Sequence, residues 1–241
     1  MGRDPSAGAE ASSSAAALAR VLERAKAVGF LGPGPVGDHI AHADRFDRAL
    51  SDLVARPRPE VEDGPRDEGS PAVAGGPGHA GGVRFADIGS GGGLPGLALL
   101  LADGRRRAVL IDASQRRCAF LVWAVAELGV AERAEVWCGR AEAIGHQARA
   151  RERFDAVVAR GFGPPAVTLE CATPLVRPGG RIVISEPPVA RSWPADGLAE
   201  LALAQRAGPA GVAVFERLPG LADSYPRPAK QQQQHPCFSL E

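Results

Sequence analysis

Hydrophobic positions along the chain alternate between short continuous runs and stripes of helical spacing. Short apolar runs predict five buried strands, at 83–87, 107–111, 134–138, 154–159 and 181–185. Helices are predicted over 165–175 and over 114–128, where one apolar stripe comprises Cys118, Leu121, Val122, Val125 and Leu128. Strands and helices that alternate at this spacing are typical of α/β proteins, so the pattern predicts a doubly wound, mostly parallel sheet.

The N-terminal third departs from this alternation. Residues 18–28 have apolar positions at helical spacing and predict a short amphipathic helix, whereas the Ala-, Ser- and Gly-rich residues 1–17 predict a disordered start. Residues 55–82 combine Pro, Gly and mixed charges with very few apolar side chains. Such a stretch buries too little surface to offset the entropy of ordering it, so we expect a linker between an N-terminal helical extension, 1–54, and the main domain, 83–230.

The C-terminal region is less clearly patterned. Residues 198–205 and 211–217 fit either a helix followed by a strand or an antiparallel hairpin. The run Gln231–Gln234 opens a segment, 231–241, that we expect to be a solvated tail. Arg227, shortly before it, is either a candidate phosphate contact or part of a frayed terminus.

The most informative segment is the glycine turn that follows the first strand. Asp87 is followed by Gly89, Gly91 and Gly93, and Pro95 opens the next helix. Glycine tolerates positive φ and lets a ligand approach the backbone amides. From Gly91 the letters also fit the dinucleotide pattern G-x-G-x-x-G. The Asp87 carboxylate would repel a pyrophosphate and attract an ammonium and a sulfonium, which favours S-adenosylmethionine over a nicotinamide dinucleotide or a turn without a ligand.

Polar residues follow the next three strands. Asp112 ends the second strand about 20 residues beyond the glycine turn, where nucleotide-binding sheets place a ribose-binding carboxylate. Its alternative role is to cap the helix that begins near Ser114. The turn Gly139–Glu142 follows the third strand and Arg160 follows the fourth. Because the carboxyl ends of parallel strands meet at one edge, we expect these residues to share a crevice.

Over about residues 83–230 the chain resembles the ribosomal small-subunit methyltransferase G family, also called glucose-inhibited division protein B. The most specific similarity is the Leu-Pro-Gly that continues the glycine turn. The others are Arg116-Arg117 before Phe120-Leu121, Gly139-Arg140-Ala141-Glu142, Phe154-Asp155 with Arg160, and Tyr225-Pro226-Arg227. The resemblance implies a class I S-adenosylmethionine-dependent methyltransferase fold with an N-terminal helical extension, and methylation of N7 of a guanine in 16S ribosomal RNA.

The resemblance also implies roles for individual residues. The cofactor S-adenosylmethionine would be bound by Asp87, Gly89, Ser90, Gly91, Gly93, Leu94, Asp112, Ala141, Glu142 and Arg160. Arg140 and Arg160 match arginines at the family's active-site rim and are the candidate catalytic residues, although a lone arginine after a strand is often a solvated charge. Because guanine N7 is an unprotonated lone pair at neutral pH, alignment and desolvation suffice and no general base is expected.

Some positions depart from the family pattern. Glu186-Pro187 stands where the family has Lys-Gly, which reverses the charge near the expected substrate mouth. Two alternatives therefore stay open: a methyltransferase that acts on a small molecule or another macromolecule, and a module that binds the cofactor without turnover.

Composition adds little to this interpretation. The chain has 28 basic and 28 acidic residues, so its net charge neither favours nor excludes an RNA partner. The four cysteines form no C-x-x-C pair, and no apolar run is long enough for a signal peptide or a membrane span. His39 and His42 lack a third ligand, so no metal is predicted. We expect a cytoplasmic monomer whose partner is ribosomal RNA or the small ribosomal subunit.

Overall fold

The computed structural model of the chain describes residues 5–53 and 82–240, and two helices come first. Helix α1 spans Pro5–Ala27 and helix α2 spans Val36–Leu50. The expectation of a disordered start is wrong from Pro5 onward, because this Ala-rich stretch has high helix propensity and continues into the amphipathic segment. The predicted linker lies outside the described residues apart from Gly82.

Seven strands form one sheet in the order β3-β2-β1-β4-β5-β7-β6. Their bounds are β1 Arg84–Ile88, β2 Arg107–Asp112, β3 Ala134–Cys138, β4 Phe154–Ala159, β5 Val176–Ser185, β6 Leu203–Arg206 and β7 Val212–Arg217. Strands β1 to β5 are mutually parallel, whereas β7 lies antiparallel between β5 and β6. The predicted α/β fold is confirmed, and the antiparallel hairpin beside the parallel strands is the class I methyltransferase arrangement that the resemblance implied.

Helices cover both faces of this sheet. One face carries α1, α2, α3 (Gly96–Ala102) and α4 (Gln115–Glu127), and the other carries α5 (Ala141–Ile144), α6 (Pro165–Ala172), α7 (Ala195–Glu200) and α8 (Ala229–Gln234). The central parallel strands β1, β2 and β4 are buried on both faces because they lie between two helical layers. Among the described residues, no helix combines the length and the apolar character that crossing a bilayer requires.

The predicted element bounds agree with the structure except where backbone pairing or capping decides them. Strands β3 and β4 have the predicted bounds. Strand β5 begins five residues earlier than expected, since Val176 pairs with Phe154 ahead of a register shift. Helix α6 ends at Ala172 rather than at residue 175, and Pro95 is the residue before α3 rather than its first.

At the C-terminal end the hairpin alternative is confirmed, since β6 pairs with β7. The expectation of a solvated tail is wrong at Gln232, which lies on helix α8 and is 1% exposed. A glutamine run carries no hydrophobic signal, so only packing against α6 reveals that one of its side chains is buried.

Candidate functional site

A cavity of about 250 Å³ opens at the carboxyl edge of the sheet. Its walls come from the ends of four parallel strands: Gly89 after β1, Asp112 at the end of β2, Gly139–Glu142 after β3 and Phe162–Pro164 after β4. In an open α/β sheet this edge, where the strand order reverses, is where ligands bind. The predicted crevice therefore exists, and it joins most of the segments that the sequence singled out.

The glycine turn between β1 and α3 has a backbone that only glycine adopts readily. Gly89, Gly91 and Gly93 have φ angles of 69°, 54° and 97°. Gly89 is also tightly covered, because a Cβ there would lie 2.8 Å from Cδ2 of Phe162. The turn thus brings bare backbone to the cavity wall.

Most amides of this turn already donate to acceptors within the protein. Those of Gly91 and Gly96 donate to side-chain carboxylates, to Oδ2 of Asp112 at 3.0 Å and to Oδ2 of Asp87 at 2.9 Å. The amides of Gly89 and Ser90 donate to the carbonyl of Ile111 at 2.8 and 3.0 Å. A phosphate-binding loop needs such amides free to face the anion. This turn directs two of them at carboxylates instead.

Asp87 lies behind the turn, outside the set of residues that line the cavity. Its carboxyl is buried, and Oδ1 has no hydrogen-bond partner. Burial raises the pKa of Asp87 to about 7, and the nearby Asp112 acts in the same direction, while the Gly96 amide and Arg160 oppose the shift. A buried carboxyl that is only partly ionised at neutral pH therefore lies directly beneath the turn, with one oxygen bonded to Gly96 and the other without a partner.

Asp112 does line the cavity, as predicted. Its Oδ1 accepts from the Ser114 amide at 2.9 Å and its Oδ2 from Gly91, while Nη1 of Arg117 lies 3.7 Å from Oδ2. The cap of α4 is Ser114, whose side chain accepts from the Arg117 amide, so the alternative role of Asp112 as that cap is wrong. Each carboxylate oxygen has two lone pairs, so both can still accept from a ribose hydroxyl.

The turn after β3 places Arg140, Ala141 and Glu142 on the cavity wall. Nε of Arg140 donates to Oε1 of Glu142, and the Arg140 side chain is 64% exposed. Arg140 therefore stands at the rim with its charge paired to the acid beside it.

Arg160, the other candidate catalytic residue, follows β4 but does not line the cavity. Its Nη2 donates to Nδ1 of His39 on helix α2, and its Nη1 is buried without a partner. Burial lowers the pKa of Arg160 and the attraction of Asp87 partly restores it. Sequence reasoning did not connect His39 with this arginine, because the two residues are 121 positions apart.

The N-terminal extension also packs directly on the glycine turn. A Cβ at Gly92 would lie 2.9 Å from the carbonyl oxygen of Phe30 and 3.0 Å from Cβ of Ala25. The segment between α1 and α2 thus covers the outer side of the turn, while the cavity lies on the other.

Helix α8 forms a further wall that the sequence did not predict. Ala229, Gln232 and Gln233 line the cavity, and Nε2 of Gln232 donates to the Arg227 carbonyl at 2.5 Å. Arg227 is held by Glu170, with its Nη2 2.7 Å from Oε2 of that buried acid. Arg227 is therefore a structural anchor, so the alternative of a frayed terminus is wrong there, and its Nε and Nη2 donate to Glu170 rather than to a phosphate. In the sequence, the one feature that pointed to this region was the Tyr225-Pro226-Arg227 motif just before the helix.

The ten predicted cofactor-binding residues fall into two groups. The cavity is lined by Gly89, Asp112, Ala141 and Glu142. The others form the turn and its support behind that lining: Asp87, Ser90, Gly91, Gly93, Leu94 and Arg160. Within this second group, Ser90 Oγ donates to the Asp87 carbonyl at 2.7 Å and accepts from the Ile111 amide at 3.1 Å, which ties β1 to β2.

Glu186, the residue that reverses a family charge, is buried at the end of β5. Its Oε2 accepts from the Arg191 amide at 3.2 Å and faces Nη1 of Arg191 at 3.5 Å, and its side chain is 4% exposed. Its negative charge is thus partly neutralised within the protein. Glu186 therefore contributes less negative charge near the expected substrate entrance than its position in the sequence suggested.

Comparison with known proteins agrees with this geometry. Residues 77–186 match the family model described as rRNA small subunit methyltransferase G, which is less than half of the chain. The resemblance drawn from the motifs is confirmed over those residues.

Individual relatives align over the same part of the chain. Ribosomal RNA small subunit methyltransferase G of Rubrobacter xylanophilus is 40% identical over 42% of this chain and 38% of its own length. The protein of the same name from Sorangium cellulosum is 41% identical over 43% of this chain and 42% of its own length. The chain thus spans about two fifths of the curated relatives it matches.

Among solved structures, the chain is similar to the antibiotic-resistance methyltransferase Kmr. The sequence identity is 15%, the TM-score is 0.44, and the alignment covers 56% of this chain and 87% of that chain.

Proposed function

We propose that this protein uses S-adenosylmethionine to methylate N7 of a guanine in the ribosomal RNA of the small subunit. The family model over residues 77–186 and the names of the aligned relatives support this substrate. We further propose that it acts in the cytoplasm, where that RNA is assembled into ribosomal subunits, and that it acts as a monomer.

One observation carries the choice of cofactor: the amides of Gly91 and Gly96 donate to Asp112 and Asp87. A diphosphate would need those amides as hydrogen-bond donors, and they are already used. It would also be repelled by the two carboxylates that accept from them. A ligand with an ammonium and a sulfonium gains from the same carboxylates. The arrangement therefore supports S-adenosylmethionine over a nicotinamide dinucleotide.

The cavity residues suit the parts of that ligand. Asp112 has free lone pairs for the ribose hydroxyls, and the turn Gly139–Glu142 offers backbone groups and a carboxylate to the adenine. Phe162 and Val167 supply apolar wall for its ring faces. Asp87, with Oδ1 unpartnered, lies beneath the turn that would carry the positive end, and a positive charge bound there favours its ionised form.

When bound, S-adenosylmethionine supplies an electrophilic methyl group on a sulfonium. The protein then has to align a guanine and exclude water, because N7 needs no proton removed. Arg160 follows β4 behind the lining of the cavity, and its buried Nη1, which has no partner among the described residues, is the donor that we assign to an electron-rich edge of that base. Alignment of this kind contributes on the order of 7–11 kcal/mol to lowering a barrier in favourable systems.

The test is methyl transfer from labelled S-adenosylmethionine to small subunits, or to their RNA, purified from a strain that lacks the protein, followed by mapping of the methylated base. We expect one guanine to acquire the label. The Asp112→Asn variant should lose at least tenfold in cofactor affinity, since it removes a charge-assisted acceptor. The exposed Asp196→Asn should match the wild type. Label on a small metabolite but not on RNA, or tighter calorimetric binding of NAD, would overturn the proposal.

A further inference from the structure

A second concavity lies outside the methyl-donor site, between helices α1 and α4. It has a volume of about 410 Å³ and is lined by Arg24, Val28, Phe30, Arg116, Ala119, Phe120 and Trp123. We call these seven residues the α1–α4 groove. None of them is acidic, and none belongs to the cavity described above.

Aromatic rings form the floor of the α1–α4 groove. Phe30 meets Phe120 edge-on, with ring centroids 5.6 Å apart, and Phe120 meets Trp123 at 5.4 Å. Phe30 and Trp123 are both partly exposed, and Val28 on the groove's edge is 44% exposed. These partly exposed side chains adjoin one another, and a contiguous apolar patch on a protein surface is typical of a binding site.

Arginines stand over these rings. The guanidinium carbon of Arg24 lies 4.3 Å from the centroid of Trp123, and that of Arg116 lies 5.9 Å from Phe30. Within residues 5–53 and 82–240, neither guanidinium forms an ion pair with a carboxylate. Both side chains are exposed, and neither donates a hydrogen bond to another residue of those two ranges. The groove therefore presents unneutralised positive charge next to flat apolar surface.

The groove adjoins the glycine turn on the side opposite the cavity, through two contacts. The carbonyl of Phe30 packs on Gly92 of the glycine turn, and Arg117, whose guanidinium carbon lies 5.9 Å from the Phe30 ring, reaches Asp112 at 3.7 Å. From Arg116, near the carboxyl edge of the sheet, to Trp123 the helix rises about 10 Å at 1.5 Å per residue. An RNA strand whose methylated base occupies the cavity would therefore reach the groove by passing over the turn.

We propose that the α1–α4 groove binds a single-stranded RNA segment that flanks the methylated base. A base stacks on Trp123 or Phe30 in place of the arginine that lies over that ring, and Arg24 and Arg116 turn to the adjacent phosphates. Aromatic platforms combined with a basic track are the usual means of binding single strands with little sequence preference. An acidic protein segment would use the arginines but leave the ring faces unexplained, so RNA is favoured. The substrate class rests on the proposed function, but the groove itself is tested independently of it.

The experiment measures the affinity of the full chain for a short, fluorescein-labelled single-stranded RNA of random sequence, by anisotropy at several salt concentrations. Trp123→Leu keeps an apolar side chain on α4 and should weaken binding about tenfold with little change in salt dependence, because only stacking is lost. Arg24→Ala combined with Arg116→Ala should lower the salt slope by about 0.7 for each phosphate contact removed.

Arg149→Ala is the matched control, since Arg149 also stacks on a tryptophan, 4.5 Å from the ring of Trp137, but lies outside the groove. It should bind RNA as the wild type does. Thermal unfolding of each variant establishes that the fold is retained, and calorimetry with S-adenosylmethionine reports on the methyl-donor site separately.

Each outcome has a distinct meaning. Unchanged RNA affinity and salt slope in both groove variants would overturn this proposal while leaving the methyl-donor assignment intact. Weaker binding to whole small subunits with unchanged binding to the oligonucleotide would also overturn it, since the groove would then dock a protein. A third outcome would support the groove and overturn the proposed function. In that case the groove variants lose RNA binding, and the wild-type protein does not bind S-adenosylmethionine.

Discussion

Arg160 at the end of β4 donates a hydrogen bond from Nη2 to Nδ1 of His39 on helix α2. A guanidinium has only donors, so Nδ1 must accept and the proton of the neutral imidazole resides on Nε2. That nitrogen lies 3.2 Å from the carbonyl oxygen of Gly32, which it donates to. The N-terminal extension thus fixes the direction of the arginine at the site.

We expect His39→Ala to lower methyl transfer more than cofactor binding. Without its acceptor, Arg160 is free to reorient, and misplacement by about 1 Å can cost a hundredfold in rate. The measurement is kcat against the affinity for S-adenosylmethionine, of which we expect only the first to fall, by tenfold or more. Exposed His235→Ala is the control and should behave as the wild type. Equal losses in rate and cofactor affinity would contradict a positioning role.

Asp87→Asn should stabilise the unliganded protein at alkaline pH. Burial raises the pKa of Asp87 from 3.8 to about 7, so between these values the folded state holds a proton that the unfolded state has released. The free energy of unfolding of the wild type therefore falls as pH rises through this window, relative to the variant. Urea unfolding should give equal stability for the two proteins below pH 4 and a more stable variant at pH 8, with an upper limit of about 4 kcal/mol on the difference.

Asp103→Asn provides the comparison of opposite sign. Hydrogen bonds from Arg105 lower the pKa of Asp103 from 3.8 to about 2. The ionised Asp103 therefore stabilises the folded protein above pH 3.8, and this stabilisation is lost as the pH falls from 3.8 to about 2. This variant should show no gain at pH 8. A wild type more stable than Asp87→Asn at that pH would show that the carboxylate is well solvated in the folded state.

The same carboxyl should make cofactor binding dependent on pH. A positively charged ligand near Asp87 lowers its pKa, so binding at pH 7 should release a fraction of a proton. Calorimetry in buffers of different ionisation enthalpy measures that release, and affinity should increase from pH 6 to pH 8. In Asp87→Asn both effects should disappear and affinity should fall at least tenfold. Proton release of the same size in the variant would assign it to another group.

Gly96→Ala should destabilise the protein although alanine favours helices. A Cβ at this first residue of α3 would lie 2.6 Å from Oδ2 of Asp87 and 2.5 Å from Cδ2 of Leu110. Relief of those contacts breaks the bond between the Gly96 amide and Asp87, at a cost of about 1–3 kcal/mol. Gly104→Ala is the control, because a Cβ there meets nothing within 4 Å. Thermal unfolding measures both variants. Equal melting temperatures for Gly96→Ala and Gly104→Ala would show that Gly96 is not closely packed against Asp87 and Leu110.

Glu170→Gln should loosen the wall formed by helix α8. Glu170 is 1% exposed and accepts from the amide, Nε and Nη2 of Arg227 at 2.8, 2.9 and 2.7 Å. Removing one charge of a buried pair costs about 3 kcal/mol or more. The surface pair of Arg206 with Glu216 is the comparison, and Glu216→Gln should cost under about 1 kcal/mol. Urea unfolding measures both, and cofactor affinity should fall only for Glu170→Gln.

The sequence predicted the parallel strands and the fold class well because buried strands and the helices between them have strong local patterns. Strand β4 is continuously apolar except for Asp155, and β3 ends at the turn the motif indicated. The sequence did not predict the burial of polar side chains, because the hydrophobic pattern does not indicate it. Gln232 and Glu170 are polar yet buried, and their hydrogen bonds with Arg227 and with the thiols of Cys171 and Cys237 account for that.

The order of residues alone thus determined the glycine turn, the acid at the end of each of the first two strands, and the edge of the sheet at which they meet. Those features follow from local rules, namely the φ freedom of glycine and the geometry of parallel strands. Only the tertiary structure decided which atoms each acid binds, that Arg160 faces His39, and that α8 closes the cavity. The contacts of Glu170 with Arg227 and of His39 with Arg160 join residues 57 and 121 positions apart, and those of Asp87 and Asp112 with the glycine turn span 9 and 21. The energy of each depends on distance and burial, which exist only when the chain is folded.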